Sequence, residues 1–159
     1  MTNSSPQPDL EAVAGVVLRT GAADLLLPNA AVVEIISFRP PAEIEGSPPW
    51  LLGNLDWRER PVPVVSVAAA GGAQEDVVPG RRARLVVCYT PSGNTALPYL
   101  AFLSLTPPRL AYFHSRALRP AQTDSENPFV LHALTYVDRP AWIPDIDAIE
   151  RAVLQALKG

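Results

Sequence analysis

The twenty residues from Pro48 to Val67 constrain the fold of this chain more than any other segment. They form an apolar stretch from Trp50 to Leu55, a charged stretch from Asp56 to Arg60 and a valine-rich stretch from Val62 to Val67. Because aromatic and β-branched residues favour buried strands, the segment is predicted to be a β-hairpin with a charged tip. Pro61 and Pro63 lack backbone donors, which predicts that the second strand lies at a sheet edge or a barrel rim.

The composition is that of a globular protein with one core. The chain has 159 residues, of which 48% are hydrophobic, and its formal net charge is -3. With no Lys/Arg run interleaved with aromatic residues, nucleic acid is not an expected partner. The first residues are polar and no stretch is apolar enough for a membrane span, so we expect a cytoplasmic protein. The single Cys88 excludes a disulfide framework, and its apolar neighbours predict a buried thiol.

Turn residues recur at short intervals along the chain, which predicts a mostly β protein. A Gly/Pro-containing stretch near the middle predicts two lobes joined by a linker. The predicted divisions are a disordered tail over 1–11, lobe one over 12–70, a linker over 71–82, lobe two over 83–142 and a C-terminal helix over 145–158.

Several local elements are predicted from turn and capping residues. Strands are expected over 12–19, 24–27, 34–38, 84–90, 95–105 and 129–137, with irregular structure over 115–128. Asn29 is predicted to cap a short helical turn over 30–33. Asp145 or Asp147 is expected to cap the last helix, whose apolar residues Ile146, Ile149, Val153 and Leu157 form one stripe.

Motifs for enzyme chemistry are missing from the sequence. There is no Gly-rich phosphate loop, no HExxH and no GxSxG. His114 and His132 each lack a second ligand at metal-binding spacing, and the carboxylates of Asp56 and Glu59 lie among arginines. We therefore expect no catalytic residue, no metal site and no cofactor.

Two motifs, however, resemble those of the CheW-like domain, the adaptor fold of bacterial chemosensory arrays. Val32 to Ile35 resembles the family segment V-x-E-I, and Gly53 to Val67 resembles the segment that contains the family's N-L-R-G turn and P-V strand. Glu34 and Arg58 stand 24 positions apart, as in the family. The resemblance implies an all-β fold of two SH3-like five-stranded β-barrel lobes with a C-terminal helix and a hydrophobic groove between the lobes.

The resemblance also implies a function. A CheW-like adaptor, or scaffold, is not an enzyme and links the cytoplasmic tip of a methyl-accepting chemotaxis receptor to the regulatory domain of a CheA-type histidine kinase. Four residues depart from the family pattern near the hairpin tip: Asp56 replaces Asn, Trp57 replaces Leu, Glu59 replaces Gly and Ser66 replaces Asp. Because Glu59 has a Cβ and the family's glycine does not, we expect the turn to adopt a conformation that residues with a Cβ favour, different from that of the family. With these four residues, the hairpin region resembles that of the divergent adaptors of type IV pilus, or twitching, chemosensory systems.

The predicted partner-binding residues are Val32, Glu34, Ile35, Trp57, Arg58, Val62 and Val64. The four aliphatic residues among them are expected to line the groove, Trp57 to be an exposed anchor and Arg58 to bind a carboxylate or carbonyl of the partner. Two alternatives remain at this point. The chain could be a β-rich decoy that binds only one of the two partners, or a small hydrolase that uses Asp56 or His114.

Overall fold

The computed structural model describes residues 12–72, 79–114, 116–121 and 126–158. The predicted tail over 1–11 and part of the predicted linker lie outside these residues. The strands are β1 (Val13–Arg19), β2 (Asp24–Pro28), β3 (Val32–Ser37), β4 (Leu51–Trp57), β5 (Arg60–Val65), β6 (Arg84–Tyr89), β7 (Tyr99–Ser104), β8 (Arg109–Phe113), β9 (Leu118–Pro120), β10 (Val130–Tyr136) and β11 (Arg139–Pro144). The helices are a 3-10 turn (Asn29–Ala31), α1 (Val67–Ala70) and α2 (Ile146–Lys158).

The strands form two sheets, which confirms the all-β prediction with a C-terminal helix. One sheet has five strands in the order β3-β6-β7-β5-β4. The other has six in the order β8-β1-β2-β11-β10-β9, one more than the five expected. The sequence did not predict β8, β9 and β11. β9 has only three residues and ends in proline, and β11 contains two prolines, so both lack a clear strand pattern.

The two sheets do not follow the predicted division into residues 12–70 and 83–142. The first hairpin, β1 and β2, joins the C-terminal strands, and β2 pairs with β11 in parallel. The other parallel pair is β5 with β7, which joins the two halves of the chain in the five-stranded sheet. Each sheet is therefore built from both halves, and the linker does not separate two independent units.

A buried carboxylate holds the parallel pair β2–β11 together. Asp24 is 2% exposed at the start of β2. Its carboxylate lies 3.0 Å from Nε of Arg19 and 3.2 Å from Nε of Arg139, which begins β11. Because a buried charge is costly unless paired, this three-residue cluster fixes how the N-terminal hairpin meets the C-terminal one.

Three hydrophobic clusters fill the molecule. One joins both sheets to α2 and contains Ile149 and Val153 of the predicted helical stripe. The second fills the five-stranded sheet and the third the six-stranded sheet. Cys88 belongs to the first cluster, and burial raises the pKa of its thiol to about 12. The expectation of a buried thiol is confirmed.

Capping explains where the short elements begin. Asp145 rather than Asp147 caps α2, because its Oδ1 accepts the backbone N–H of Ala148 at 3.0 Å. The prediction for Asn29 is wrong: the 3-10 turn begins at Asn29 itself, and no side chain caps it. Ser66 caps α1 by accepting the N–H of Ala69 at 3.1 Å. A serine can therefore serve as N-cap at the position where the family has aspartate.

Candidate functional site

The predicted hairpin is present as β4 and β5, joined by the two residues Arg58 and Glu59. Both have left-handed backbone conformations, with φ of 50° and 64°. Two left-handed residues make the turn type whose twist matches that of the strands it joins. The prediction that Glu59 changes the turn to a conformation suited to a Cβ is therefore wrong. Glu59 adopts the conformation that glycine favours.

β5 is an interior strand of the five-stranded sheet and not an edge strand, the first of the two positions, sheet edge or barrel rim, that its prolines predicted. It pairs with β4 along its length, and with β7 only through Val64 and Val65. Both prolines precede this second pairing, so the missing N–H groups do not interrupt it. Near the hairpin tip, β5 therefore pairs with β4 alone, and it is paired on both sides only from Val64.

The glycine that opens the second motif has a steric role. Gly53 has a φ of 140°, and a Cβ there would collide with the carbonyl oxygen of Ala42. The loop before β4 closes on the strand at this point, where Ala42 and Asn54 exchange two backbone hydrogen bonds of 2.8 Å. Glycine is needed because two backbones meet closely.

Trp57 is buried, which corrects the prediction of an exposed interface anchor. It is 4% exposed and packs in the core of the five-stranded sheet. The cause is strand alternation, which puts Trp57 on the same inward face as Leu55. Its indole Nε1 donates a hydrogen bond of 2.8 Å to Oε2 of Glu34, so burial leaves no unpaired donor.

Arg58 covers this tryptophan from the solvent side. Its guanidinium lies 4.3 Å from the centre of the Trp57 ring, and one of its nitrogens lies 3.4 Å from the same Oε2 of Glu34. The side chains of Arg58 and Glu34 are 63% and 40% exposed. An ion pair this exposed contributes less than about 1 kcal/mol to folding. Its main effect is to hold the guanidinium in one place at the hairpin tip.

The four aliphatic residues predicted to line a groove do not share one surface. Val62 and Val64 are 0% exposed in the core of the five-stranded sheet, so they line no groove. They are buried because both side chains pack in the same cluster as Leu55 and Trp57. Val32 is half-buried against the core that joins the sheets. Ile35, on β3 beside Glu34, is 41% exposed and is the accessible member of the set.

Three further residues extend the site and were missed from the sequence. The Arg60 guanidinium lies 5.4 Å from the centre of the Tyr99 ring, and Tyr99 contacts Trp57 edge to face at 5.0 Å between ring centres. Tyr89 stands opposite Tyr99, with ring centres 5.8 Å apart. The alternation of the predicted β6–β7 hairpin places both tyrosines on the face of Trp57, but the contact of Tyr99 with Arg60 depends on the parallel β5–β7 pair.

Comparison with known proteins bears on this arrangement. The CheW-like domain family matches residues 14–153. The chain belongs to this family. No curated protein sequence matches it. Among solved structures it is similar to the scaffolding protein TtCheW from Thermoanaerobacter tengcongensis, with a TM-score of 0.66 and 14% identity. That match covers 84% of this chain and 89% of TtCheW, and it confirms the two-lobed CheW-like fold.

Within this CheW-like fold, the two family motifs meet in space. The first motif supplies Glu34 from β3, and the second supplies Trp57 and Arg58 from the β4–β5 hairpin. β3 and β4 are the two outer strands of the five-stranded sheet. A contact between its outer strands shows that this sheet curls until its edges approach. The Glu34–Trp57–Arg58 cluster lies where they meet.

The residues considered for hydrolysis show no comparable arrangement in this CheW-like chain. Asp56 is exposed, and strand alternation directs it away from the face of Trp57. Three cavities among the described residues include neither Asp56 nor His114 in their linings. No group of three or more potential metal ligands occurs in the part of the chain that the structure describes. In the same part, no helix is both long and apolar enough to cross a membrane.

Proposed function

We propose that this CheW-like chain is a non-enzymatic cytoplasmic adaptor of a bacterial chemosensory array. It couples the cytoplasmic tips of methyl-accepting receptors to the regulatory domain of a CheA-type histidine kinase. The observation that carries the proposal is the Glu34–Trp57–Arg58 cluster, in which a buried indole and a partly exposed carboxylate contact an exposed guanidinium at the hairpin tip.

The geometry suits protein recognition because Arg58 is ordered before a partner arrives. Fixing a long side chain on binding costs about 0.5 to 1.5 kcal/mol, and contacts with Trp57 and Glu34 reduce that cost. The planar guanidinium has several N–H donors, of which Glu34 engages one. The remaining donors can bind a carboxylate or a pair of backbone carbonyls in a bidentate way that lysine cannot reproduce.

Titration calorimetry with the purified kinase regulatory domain and, separately, with the receptor tip tests the proposal. If the partner group of Arg58 is desolvated, Arg58→Ala weakens the binding free energy by about 2 to 5 kcal/mol. The affinity of Arg58→Lys lies between those of Arg58→Ala and the wild type. Arg151→Ala, at an exposed arginine on α2, is the matched control and binds like the wild type. Equal affinity for the wild type, Arg58→Ala and Arg58→Lys contradicts a role for Arg58.

The same titrations distinguish an adaptor from a decoy. Binding of both partners, with both present in one complex, supports coupling. Binding of the kinase domain alone, or of the receptor tip alone, identifies the chain as a regulatory module that sequesters one component. Binding of neither overturns the proposal.

A pilus-type pathway is the finer part of the proposal. Of the four departures from the family pattern, Trp57 packs in the core and Ser66 caps a helix, so both have a structural role. Asp56 and Glu59 stay exposed at the hairpin tip and change the charge that a partner meets. Gene deletion is expected to impair twitching and leave flagellar swimming chemotaxis intact. A mutant defective only in swimming, or fully rescued by a standard adaptor, contradicts this assignment.

A further inference from the structure

Arg60 is a second ordered cation beside Arg58. It begins β5 directly opposite Trp57, so both side chains lie on the same face of the hairpin. Its guanidinium stacks over Tyr99 at 5.4 Å and is exposed to solvent. Trp57 contacts Tyr99 in turn, which joins the two arginines through two touching rings. The hairpin tip therefore carries two guanidinium groups, each on an aromatic ring.

The aromatic rings continue beyond Arg60 to an apolar surface. Tyr89 is 52% exposed and contacts Tyr99 with ring centres 5.8 Å apart. Since Tyr99 itself is half-buried against the core, the exposed ring of Tyr89 has a fixed support. An exposed aromatic ring beside an ordered cation is the composition of a protein-binding site.

The neighbouring charges leave Arg60 uncompensated. The oxygen Oε2 of Glu34 already serves both Trp57 and Arg58. Asp56 is directed to the opposite face of β4, and Glu59 lies in the turn without an ion pair to Arg60. Within the described residues, Arg60 forms neither a salt bridge nor a side-chain hydrogen bond.

We infer that Arg60, whose guanidinium stacks on Tyr99, binds the carboxylate of one acidic side chain of the partner protein. The occupant is an acidic, amphipathic segment, with its carboxylate on Arg60 and an adjacent apolar side chain on the ring of Tyr89. This position is separate from the Glu34–Arg58 pair. It rests on the proposed function, because it names the chemistry of the segment that the adaptor binds.

Calorimetric titration against the kinase regulatory domain and against the receptor tip, repeated at several salt concentrations, tests this inference. Arg60→Met keeps an apolar chain on Tyr99 but removes the charge, and we expect it to weaken binding of one partner about tenfold. Its affinity also depends less on salt than that of the wild type, because one ion pair is missing. Arg60→Lys keeps the charge without the planar fork and binds at least about threefold more weakly than the wild type. Arg151→Ala is unaffected.

The outcomes separate this inference from the proposed function. If the wild type binds and Arg58→Ala weakens binding while both Arg60 variants match the wild type in affinity and salt dependence, the Arg60 site is overturned and the adaptor role stands. If the wild type binds neither partner, both fail. Thermal unfolding of Arg60→Met and Arg60→Lys verifies the fold, and a loss of binding by Arg60→Met without a change in salt dependence also overturns the inference.

Discussion

At the scale of single residues, Trp57 has two roles. Its indole ring packs in the core of the five-stranded sheet, and the indole N–H donates a hydrogen bond to the carboxylate of Glu34. The same ring supports the guanidinium of Arg58. Trp57 was predicted to contact the partner, but it is buried, and its role is to position the exposed side chains of Glu34 and Arg58.

Trp57→Phe separates these roles, because phenylalanine retains most of the packing and lacks the N–H donor. The free energy of unfolding is expected to fall by about 1.5 to 3 kcal/mol, the size of a hydrogen bond to a charged acceptor. Denaturant titration measures this change, and calorimetry with the partner shows weaker binding as Glu34 and Arg58 lose their support. Trp142→Phe, at a half-buried tryptophan of the other sheet, is the control for binding. Wild-type affinity in Trp57→Phe contradicts the positioning role.

At the scale of elements, two hairpins turn through residue pairs with left-handed conformations and no glycine. Arg58 and Glu59 connect β4 to β5, and Val137 and Asp138, with φ of 50° and 59°, connect β10 to β11. The pairing of each hairpin imposes this conformation, because two residues must reverse a right-handed twisted ribbon. Both turns therefore carry backbone strain, which is greatest for the β-branched Val137.

Glycine at these turns is expected to stabilise the protein. Glu59→Gly raises the free energy of unfolding by about 0.5 to 1 kcal/mol, since relief of left-handed strain exceeds the added flexibility of the unfolded chain. Val137→Gly gives a larger gain. Glu59→Ala, which loses the charge but keeps the Cβ, is the control and gives no gain. Denaturant midpoints measure all three, and a lower midpoint for both glycine variants contradicts the strained turns.

The sequence predicted the elements whose signals are local. The apolar and valine-rich stretches around the tip gave the β4–β5 hairpin, and the Asp145 cap with the apolar stripe gave α2. It also carried the signal for burial of Trp57, which shares one strand face with Leu55 while Asn54 and Asp56 lie on the other, but the prediction places Trp57 in the charged tip. It could not reveal that β5 is interior, since that depends on pairing with the distant β7.

At the scale of the whole molecule, both sheets are closed by strands that are far apart in the sequence. Parallel pairs join β2 to β11 and β5 to β7. A division of the chain at its Gly/Pro-rich centre was a reasonable expectation, because long-range pairing leaves no local signal. The consequence is that Asp24 couples the N-terminal and C-terminal parts of the six-stranded sheet, and the shared core couples the two sheets.

Asp24→Asn tests this coupling, because it preserves the size of the side chain and removes its charge. The substitution removes the two charge-assisted contacts of the carboxylate with Arg19 and Arg139, and it is expected to destabilise the protein by about 3 kcal/mol. Asp56→Asn, at an exposed carboxylate, changes stability by less than about 0.5 kcal/mol. Unfolding followed by fluorescence and by circular dichroism gives both values. A change below about 1 kcal/mol in Asp24→Asn contradicts the role of the cluster.

The most direct measurement of the proposed adaptor role is nuclear magnetic resonance of the 15N-labelled chain, titrated with the kinase regulatory domain and with the receptor tip. The chain has three tryptophans, so the indole N–H signal of Trp57 can be assigned with Trp57→Phe. We predict that at least one partner shifts this indole signal together with the amide signals of Ile35, Arg58 and Glu59. Shifts confined to the six-stranded sheet, with the Trp57 indole unchanged by both partners, contradict it.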